Sequence, residues 1–374
     1  MLALAGGTVY TEPSARPISD GVVVIDQSRI VSVGAGDVAA IPSNARVLDC
    51  TGLTVTAGFW NCHVHFFERK WTGAPAIPAE ELSEQLRDFT RYGFTSVFDL
   101  GSVWPNTRAI RDRIASGEVD GPAIYSTGEI VVPPGAMPPE NVLRVLGVMP
   151  QAHHEAADAR EGAGAAAAIS SQGTDALKVF MSGNAPGQKL APDALRAVLQ
   201  RARLSQKPVF AHTNDGDDVL AALEAGVDVI AHTTPRSGPW SPALIETAKR
   251  KRAALTPTLA AWPHLMRHDR LSVVHALEDT AVEQLRAWNA AGCEVLFGTD
   301  YGAVGADPSR EFALMRAAGM TFAQILDALT TAPAKRFGNA RSGRVASGFE
   351  ADIVAFATPF DVRYTIRRGQ ILYG

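Results

Sequence analysis

Strand-like runs alternate with helical patterns eight times between residues 57 and 339, and no other feature constrains the fold as tightly. The runs fall near 57–63, 94–99, 122–126, 176–180, 208–212, 228–232, 253–257 and 294–299. Helical periodicity fills the gaps at 79–92, 107–116, 154–170, 192–205, 215–225, 242–251 and 278–291, and continues at 309–317, 321–330 and 333–338. Parallel neighbours need a long crossover, and an amphipathic helix supplies it. The alternation therefore predicts an α/β chain folded as a (β/α)8 TIM barrel over 57–339, near the usual size of ~250 residues.

Residues 1–56 and 340–374 carry only short strands. The runs 21–26 and 29–34 flank a tight turn at Gln27-Ser28, and 351–356 is followed by 364–373 with a turn at Arg368-Gly369. Neither end has enough apolar surface to fold alone. The economical expectation is one composite β-sandwich domain, built from both ends beside the barrel. The segment 127–153 is expected to be a long loop over the C-terminal face, and carries Pro133, Pro134, Pro138, Pro139 and Pro150.

Chemistry gathers at strand ends. His63-Val64-His65 closes the first barrel run, and alternation along a strand points both imidazoles the same way. Lys178 sits in the fourth, His212 and His232 close the fifth and sixth, and Asp300 closes the eighth. A barrel brings these ends to one mouth. His/carboxylate donors there read as a site for two divalent cations, zinc by default, in a hydrolase. An ammonium at Lys178 cannot ligate, but its product with carbon dioxide, a carbamate (N6-carboxylysine), offers two oxygens that can bridge two ions. The plainer readings are a salt-bridged lysine at 178, hydrogen-bonded core histidines at 212 and 232, and a helix cap at Asp300. His153 and His154 would reach substrate only if the proline-rich loop folds over the mouth.

Composition removes several partner classes. A formal net charge of −4 gives no reason to expect nucleic acid or an anionic membrane. No run reaches the ~18 apolar residues of a membrane span. Cys50, Cys62 and Cys293 form no Cys-x-x-Cys pair and no disulfide framework, which agrees with a reducing, cytoplasmic location. The expected partner is a small-molecule substrate.

The chain resembles the amidohydrolase superfamily, and within it the imidazolonepropionase-like and prolidase-like enzymes. The resemblance is carried by Ala57-Gly58-Phe59-Trp60-Asn61-Cys62-His63-Val64-His65, by the segment 93–101, by Leu177-Lys178-Val179, and by Gly343–Val354. It implies that His63, His65 and Asp300 hold a buried cation and His212 and His232 a more exposed one, with carboxylated Lys178 between them. It also implies a metal-activated hydroxide attacking a carbonyl, Asp300 carrying the proton to the leaving group, and assembly into homo-oligomers. A Gly-Gly-His-Gly loop common in prolidase-like members is absent; 127–139 reads Thr-Gly-Glu-Ile-Val-Val-Pro-Pro-Gly-Ala-Met-Pro-Pro.

Trp71, Trp104, Tyr125, Trp262 and Tyr301 lie in or after barrel strands, with Trp240 after the sixth, and together suggest an apolar or aromatic substrate pocket. Apart from Arg69, Lys70 and Arg236 no basic cluster marks these loops, which disfavours a strongly anionic substrate. The leading expectation is cleavage of an amide or cyclic amide. Dipeptidase activity comes next, then ester, lactone or phosphotriester cleavage, and last a non-catalytic scaffold.

Overall fold

A computed structural model describes residues 1–36, 38–137, 149, 152–183, 185, 187–266, 268–357 and 360–374. Five strands open the chain: β1 (Leu2–Val9), β2 (Ile18–Asp26), β3 (Arg29–Ala35), β4 (Arg46–Asp49) and β5 (Thr54–Ala57). β2 and β3 form the expected hairpin through Gln27-Ser28, with Gln27 at φ +51°. Ten strands of the central region follow: β6 (Phe59–Val64), β7 (Phe94–Asp99), β8 (Ala123–Ser126), β9 (Ile130–Val132), β10 (His153–Glu155), β11 (Leu177–Phe180), β12 (Val209–His212), β13 (Val229–Ala231), β14 (Ala254–Thr256) and β15 (Glu294–Val295). The chain closes with β16 (Ile353–Ala357), β17 (Asp361–Arg367) and β18 (Gln370–Tyr373). The turn joining β17 to β18 places both Arg368 (φ +50°) and Gly369 (φ +79°) in the left-handed region, as tight two-residue hairpins demand.

Both ends of the chain share one eight-stranded mixed sheet, in the order β18-β17-β16-β5-β1-β2-β3 with β4 on β1. β5 joins the two halves: it runs parallel to β1 and antiparallel to β16, with Ala57 opposite Ile353. Leu4, Val23, Ile25, Val55, Ile353 and Ile366 form the buried side of that sheet. The terminal unit expected as a sandwich is thus hydrogen-bonded as a single sheet.

The central strands make two parallel sheets, β10-β9-β11-β12-β13-β14-β15 and β6-β7-β8. The continuous eight-stranded ring expected from the sequence is not present as one ladder. Single contacts join the facing edges instead: Cys62 N donates to Phe297 O (2.7 Å), Asp300 N to His63 O (2.8 Å), and Asp175 N to Ser126 O (2.8 Å). The reason is local. The eighth strand, expected over 294–299, is regular only for Glu294–Val295, and Asp300 turns into the left-handed region at φ +62°. The third strand is interrupted at Gly128 (φ +64°), so β8 pairs with β7 while its continuation β9 pairs with β11.

The segment 127–153 is therefore not simply a loop, because it contains β9 and the start of β10. Its stretch 138–148, with 150 and 151, lies outside the described residues. Helices occupy the expected intervals, among them Ala79–Thr90, Trp104–Ala115, Ala159–Ser171, Pro192–Leu204, Gly216–Ala225 and Pro242–Lys251. Several start on a capping side chain: Asp158 accepts from Glu161 N, Asp215 from Asp218 N and Ser241 from Leu244 N. Between the sheets, Trp60, Phe98, Phe210 and Leu296 fill the interior with Tyr125 and Phe337. Among the described residues no helix is long and apolar enough to cross a membrane.

Candidate metal centre

The six expected donors arrive from five strand ends. His63 is in β6 and fully buried; His65 lies just past its end. Val64 between them faces the other way, into the apolar layer with Phe66 and Trp71. Lys178 lies inside β11, and His212 ends β12. His232 and Asp300 follow β13 and β15 at φ +76° and +62°. Left-handed backbone costs a non-glycine residue on the order of 1–3 kcal/mol, so neighbouring strands must hold it. They do: His232 N donates to Thr256 O at 2.9 Å and Asp300 N to His63 O at 2.8 Å.

These side chains converge. Asp300 Oδ1 lies 3.2 Å from His65 Nε2 and 3.5 Å from His63 Nε2. Ring centroids are 4.5 Å apart for His63 and His232 and 4.9 Å for His212 and His232. His63, His232 and Asp300 each offer one donor atom within 4.8 Å of the others, a group able to hold a cation.

Hydrogen bonds on the far side of each ring decide which nitrogen faces inward. His65 Nδ1 lies 2.8 Å from Gly101 O, and a carbonyl only accepts, so Nδ1 carries the proton. Asn214 Nδ2 donates to Gly183 O at 3.1 Å, which turns Oδ1 toward His212 Nε2 at 2.9 Å and makes Nε2 the donor. Thr258 Oγ1 donates to Pro257 O at 2.9 Å and accepts from His232 Nδ1 at 2.8 Å. Thr256 Oγ1 stands 3.3 Å from His63 Nδ1. The inward atoms are then Nε2 of His63, His65 and His232 and Nδ1 of His212.

Two consequences test whether a cation fits. His63 Nε2 is buried with no hydrogen-bond partner among the described residues. His65 Nε2, with its proton on Nδ1, confronts an aspartate oxygen, and two acceptors at that distance repel unless a positive charge lies between them. The donor set fits a divalent metal.

Electrostatics agree. Burial drives His63 and His232 well below the ordinary histidine range, and burial with the Lys178 charge brings His212 down to about 4. The rings of His63, His212 and His232 are thereby held neutral and their lone pairs free. Burial brings Lys178 down to about 7, and no carboxylate among the described residues forms an ion pair with it, so the salt-bridged reading does not hold. For Asp300, burial acts upward, but the contact with His65 and the polar and cationic surroundings of the cluster, Lys178 among them, prevail and hold it below the ordinary carboxylate range.

The expected substrate residues divide. Trp262, half-buried, donates Nε1–H to Thr233 Oγ1 at 3.0 Å, beside His232. Tyr301 follows Asp300, and its hydroxyl donates to Asp88 at 2.8 Å with Lys70 against the same oxygen. The Tyr301 ring is buried against Phe89, so it does not face the donors, and the other three also make their contacts elsewhere. Trp71 is fully buried against Phe66. Trp104 begins a helix, donates to Gln172 O at 3.2 Å and lies under the Arg111 guanidinium. Tyr125 stacks on Trp60 at 4.9 Å and accepts from Asn339. His154 pairs with Glu129 at 2.8 Å. Trp240 donates to Thr234 Oγ1 at 2.8 Å.

Sequence reasoning missed the residues behind the donors. Asn61 binds Thr299 through both amide atoms, Nδ2 to Oγ1 at 2.7 Å and Oδ1 from N at 3.2 Å, and so anchors the approach to Asp300. Glu311, fully buried, accepts from Leu259 N (3.0 Å) and Ala260 N (2.8 Å), next to Thr258. Asp99 ends β7 as Asp300 ends its own apolar run, a signal visible in the sequence.

Donors gathered at the C-terminal ends of parallel strands lie where barrel-type hydrolases hold their chemistry. The chain belongs to the amidohydrolase family, whose model matches residues 54–372, and it is a hydrolase acting on carbon–nitrogen bonds. Ochratoxinase of Aspergillus niger is 25% identical over 387 residues, covering 91% of this chain and 78% of the relative. A Xaa-Pro dipeptidase crystallised with methionine in its active site superposes with a TM-score of 0.84 at 20% identity, over 100% of both chains. A putative prolidase from Bifidobacterium longum gives 0.82 at 24%, over 99% of this chain and 94% of that one.

Proposed function

We propose that the chain is a two-metal amidohydrolase that cleaves an amide or cyclic amide bond of a small, apolar or aromatic substrate. The observation that carries this reading is the pair of facing acceptors, His65 Nε2 and Asp300 Oδ1 at 3.2 Å, beside the unpartnered His63 Nε2. In this reading His63, His65 and Asp300 hold one divalent ion, zinc by default, and His212 and His232 a second, with Lys178 between them. Ions so held polarise a carbonyl and bring the pKa of water toward neutrality.

The protein's own residues do the rest. With its pKa near 7, a large share of Lys178 is neutral at physiological pH, and its lone pair can attack carbon dioxide. The new N–C bond forms as a proton leaves the nitrogen, and the carbamate replaces a buried positive charge by a negative one. Ionised Asp300 accepts a proton and delivers it to the departing amine, a step an amide requires because an amide anion is a poor leaving group. Trp262, beside the donors through Thr233, offers apolar surface, whereas Tyr301 is buried against Phe89. Residues 57–339 serve as the catalytic domain, and 1–56 with 340–374 as its companion. The missing His-containing loop disfavours a dipeptide.

The test is a hydrolysis screen of N-acyl amino acids, aryl amides, dipeptides and lactones with zinc-reconstituted protein. Turnover of N-acyl or aryl amides is expected. Cleavage confined to dipeptides would move the assignment to a peptidase, and cleavage confined to lactones would remove the amidase reading.

A further inference from the structure

Asp99 is a fully buried carboxylate that plays no part in the chemistry above, and among the described residues no lysine, arginine or histidine forms an ion pair with it. Burying a carboxylate without a counter-ion is costly, so its contacts should show what holds it there. Its carboxylate accepts three hydrogen bonds. Its Oδ2 takes hydrogen bonds from Ser102 Oγ and Ser126 Oγ, both at 2.6 Å, and its Oδ1 a longer one from Phe66 N at 3.4 Å. Ser126 Oγ in turn accepts from Gly128 N at 2.8 Å, and Ser102 Oγ lies 2.7 Å from Thr107 Oγ1.

Those contacts fall on either side of one bond. Phe66 is the residue after His65, and Ser102 is the residue after Gly101, whose carbonyl accepts from His65 Nδ1 at 2.8 Å. Gly101 sits at φ +132°, a conformation in which an L side chain is strained, so the aim of its carbonyl depends on how the turn is held. Backbone bonds fix the main chain around the turn: Leu100 N to Val64 O at 2.9 Å, Ser102 N to Gly128 O at 3.2 Å and His65 N to Tyr301 O at 2.7 Å. None of them reaches the Gly101 carbonyl, and the side-chain bonds to Asp99 brace the residues on either side of it. We propose that Asp99 is a positioning residue for His65, pinning both partners of the His65–Gly101 bond so that Nε2 faces Asp300. The proposal rests on the two-metal reading of the site, but its structural core, the fixed tautomer of His65, does not.

Asp99→Asn preserves shape while replacing one acceptor oxygen by an NH2 group that cannot accept. In long-range 1H–15N spectra of the metal-free protein, wild-type His65 should keep Nδ1 protonated on the Gly101 carbonyl, and the variant should show a mixture that includes Nδ1 without its proton. Zinc affinity, measured by competition with a chelating dye, should fall about 10–100-fold, with kcat reduced and KM within about twofold of wild type. Ser102→Ala, which removes one donor to Asp99, should move the same readouts in the same direction by less, and decides the matter if Asp99→Asn does not fold. A wild-type tautomer together with wild-type zinc affinity in either folded variant overturns the proposal. Failure of the underlying reading looks different: His63→Ala would then leave zinc content and turnover untouched, whatever the state of His65.

Discussion

The side-chain oxygen of Asn214 stands 2.9 Å from Nε2 of His212, held there because the other half of the same amide donates to Gly183 O. That contact makes His212 the one histidine of the cluster that presents Nδ1 inward. Asn214→Leu removes the acceptor and frees the ring to rotate. The expected result is a loss of zinc affinity of about 10–100-fold, read by dye competition, with a smaller loss in Asn214→Asp, which keeps an acceptor. Unchanged affinity in Asn214→Leu would remove His212 from the donor set.

His63 is the most enclosed of the donors, and its Nε2 has no partner among the described residues. His63→Ala should lower bound metal by about one equivalent and kcat/KM by on the order of a thousandfold, roughly 4 kcal/mol of barrier. Elemental analysis alongside turnover checks both. Wild-type values for the two together would sink the proposed centre.

Lys178 is buried in β11 with its pKa brought down to about 7. Protein stripped by a chelator should regain activity faster with zinc and bicarbonate than with zinc alone. Lys178→Ala should be nearly inactive and partly rescued by a short carboxylic acid filling the gap. A crystal structure with two fully occupied metals and an unmodified lysine would refute the carbamate.

Trp262 touches Thr233, the neighbour of His232, through its indole N–H. If its ring lines the substrate pocket, Trp262→Ala raises KM about tenfold, the worth of ~1.4 kcal/mol of apolar contact, and leaves metal content as in wild type. A structure with substrate bound away from this ring would exclude the role.

Burial brings Glu311 up from 4.5 to about 7 despite two backbone donors. A carboxyl whose folded pKa is raised stabilises the fold fully below its unfolded pKa, and that contribution is lost as pH rises through the folded value. The window here is therefore pH 4.5 to about 7. Stability measured by urea unfolding should fall from pH 5 to pH 8, and Glu311→Gln should flatten that slope by about 2–3 kcal/mol. An identical slope in both proteins would assign the pH dependence to other groups.

The arrangement of parallel units was legible in the amino-acid order because period 2 and period 3.6 are properties of consecutive residues. So were the positions of His63, His65, Lys178, His212, His232 and Asp300 in or next to strands, and the association of the two chain ends, although they were expected as a sandwich and are hydrogen-bonded as one sheet. Spacing along a strand, however, does not say where the chain points once it leaves the strand. Trp71, Trp104 and Tyr125 looked alike in sequence to Trp262, yet their rings contact Phe66, Gln172 and Trp60. Nor does order show how a ladder ends: the left-handed turn at Asp300 and the break at Gly128 divide the expected ring into two sheets. Tertiary structure alone decided which nitrogen of each histidine faces inward, because the partners that decide it, Gly101, Asn214, Thr256 and Thr258, act across space. Asn214 alone is near its histidine in the chain; for the others, only packed strands bring acceptor and ring within hydrogen-bond reach.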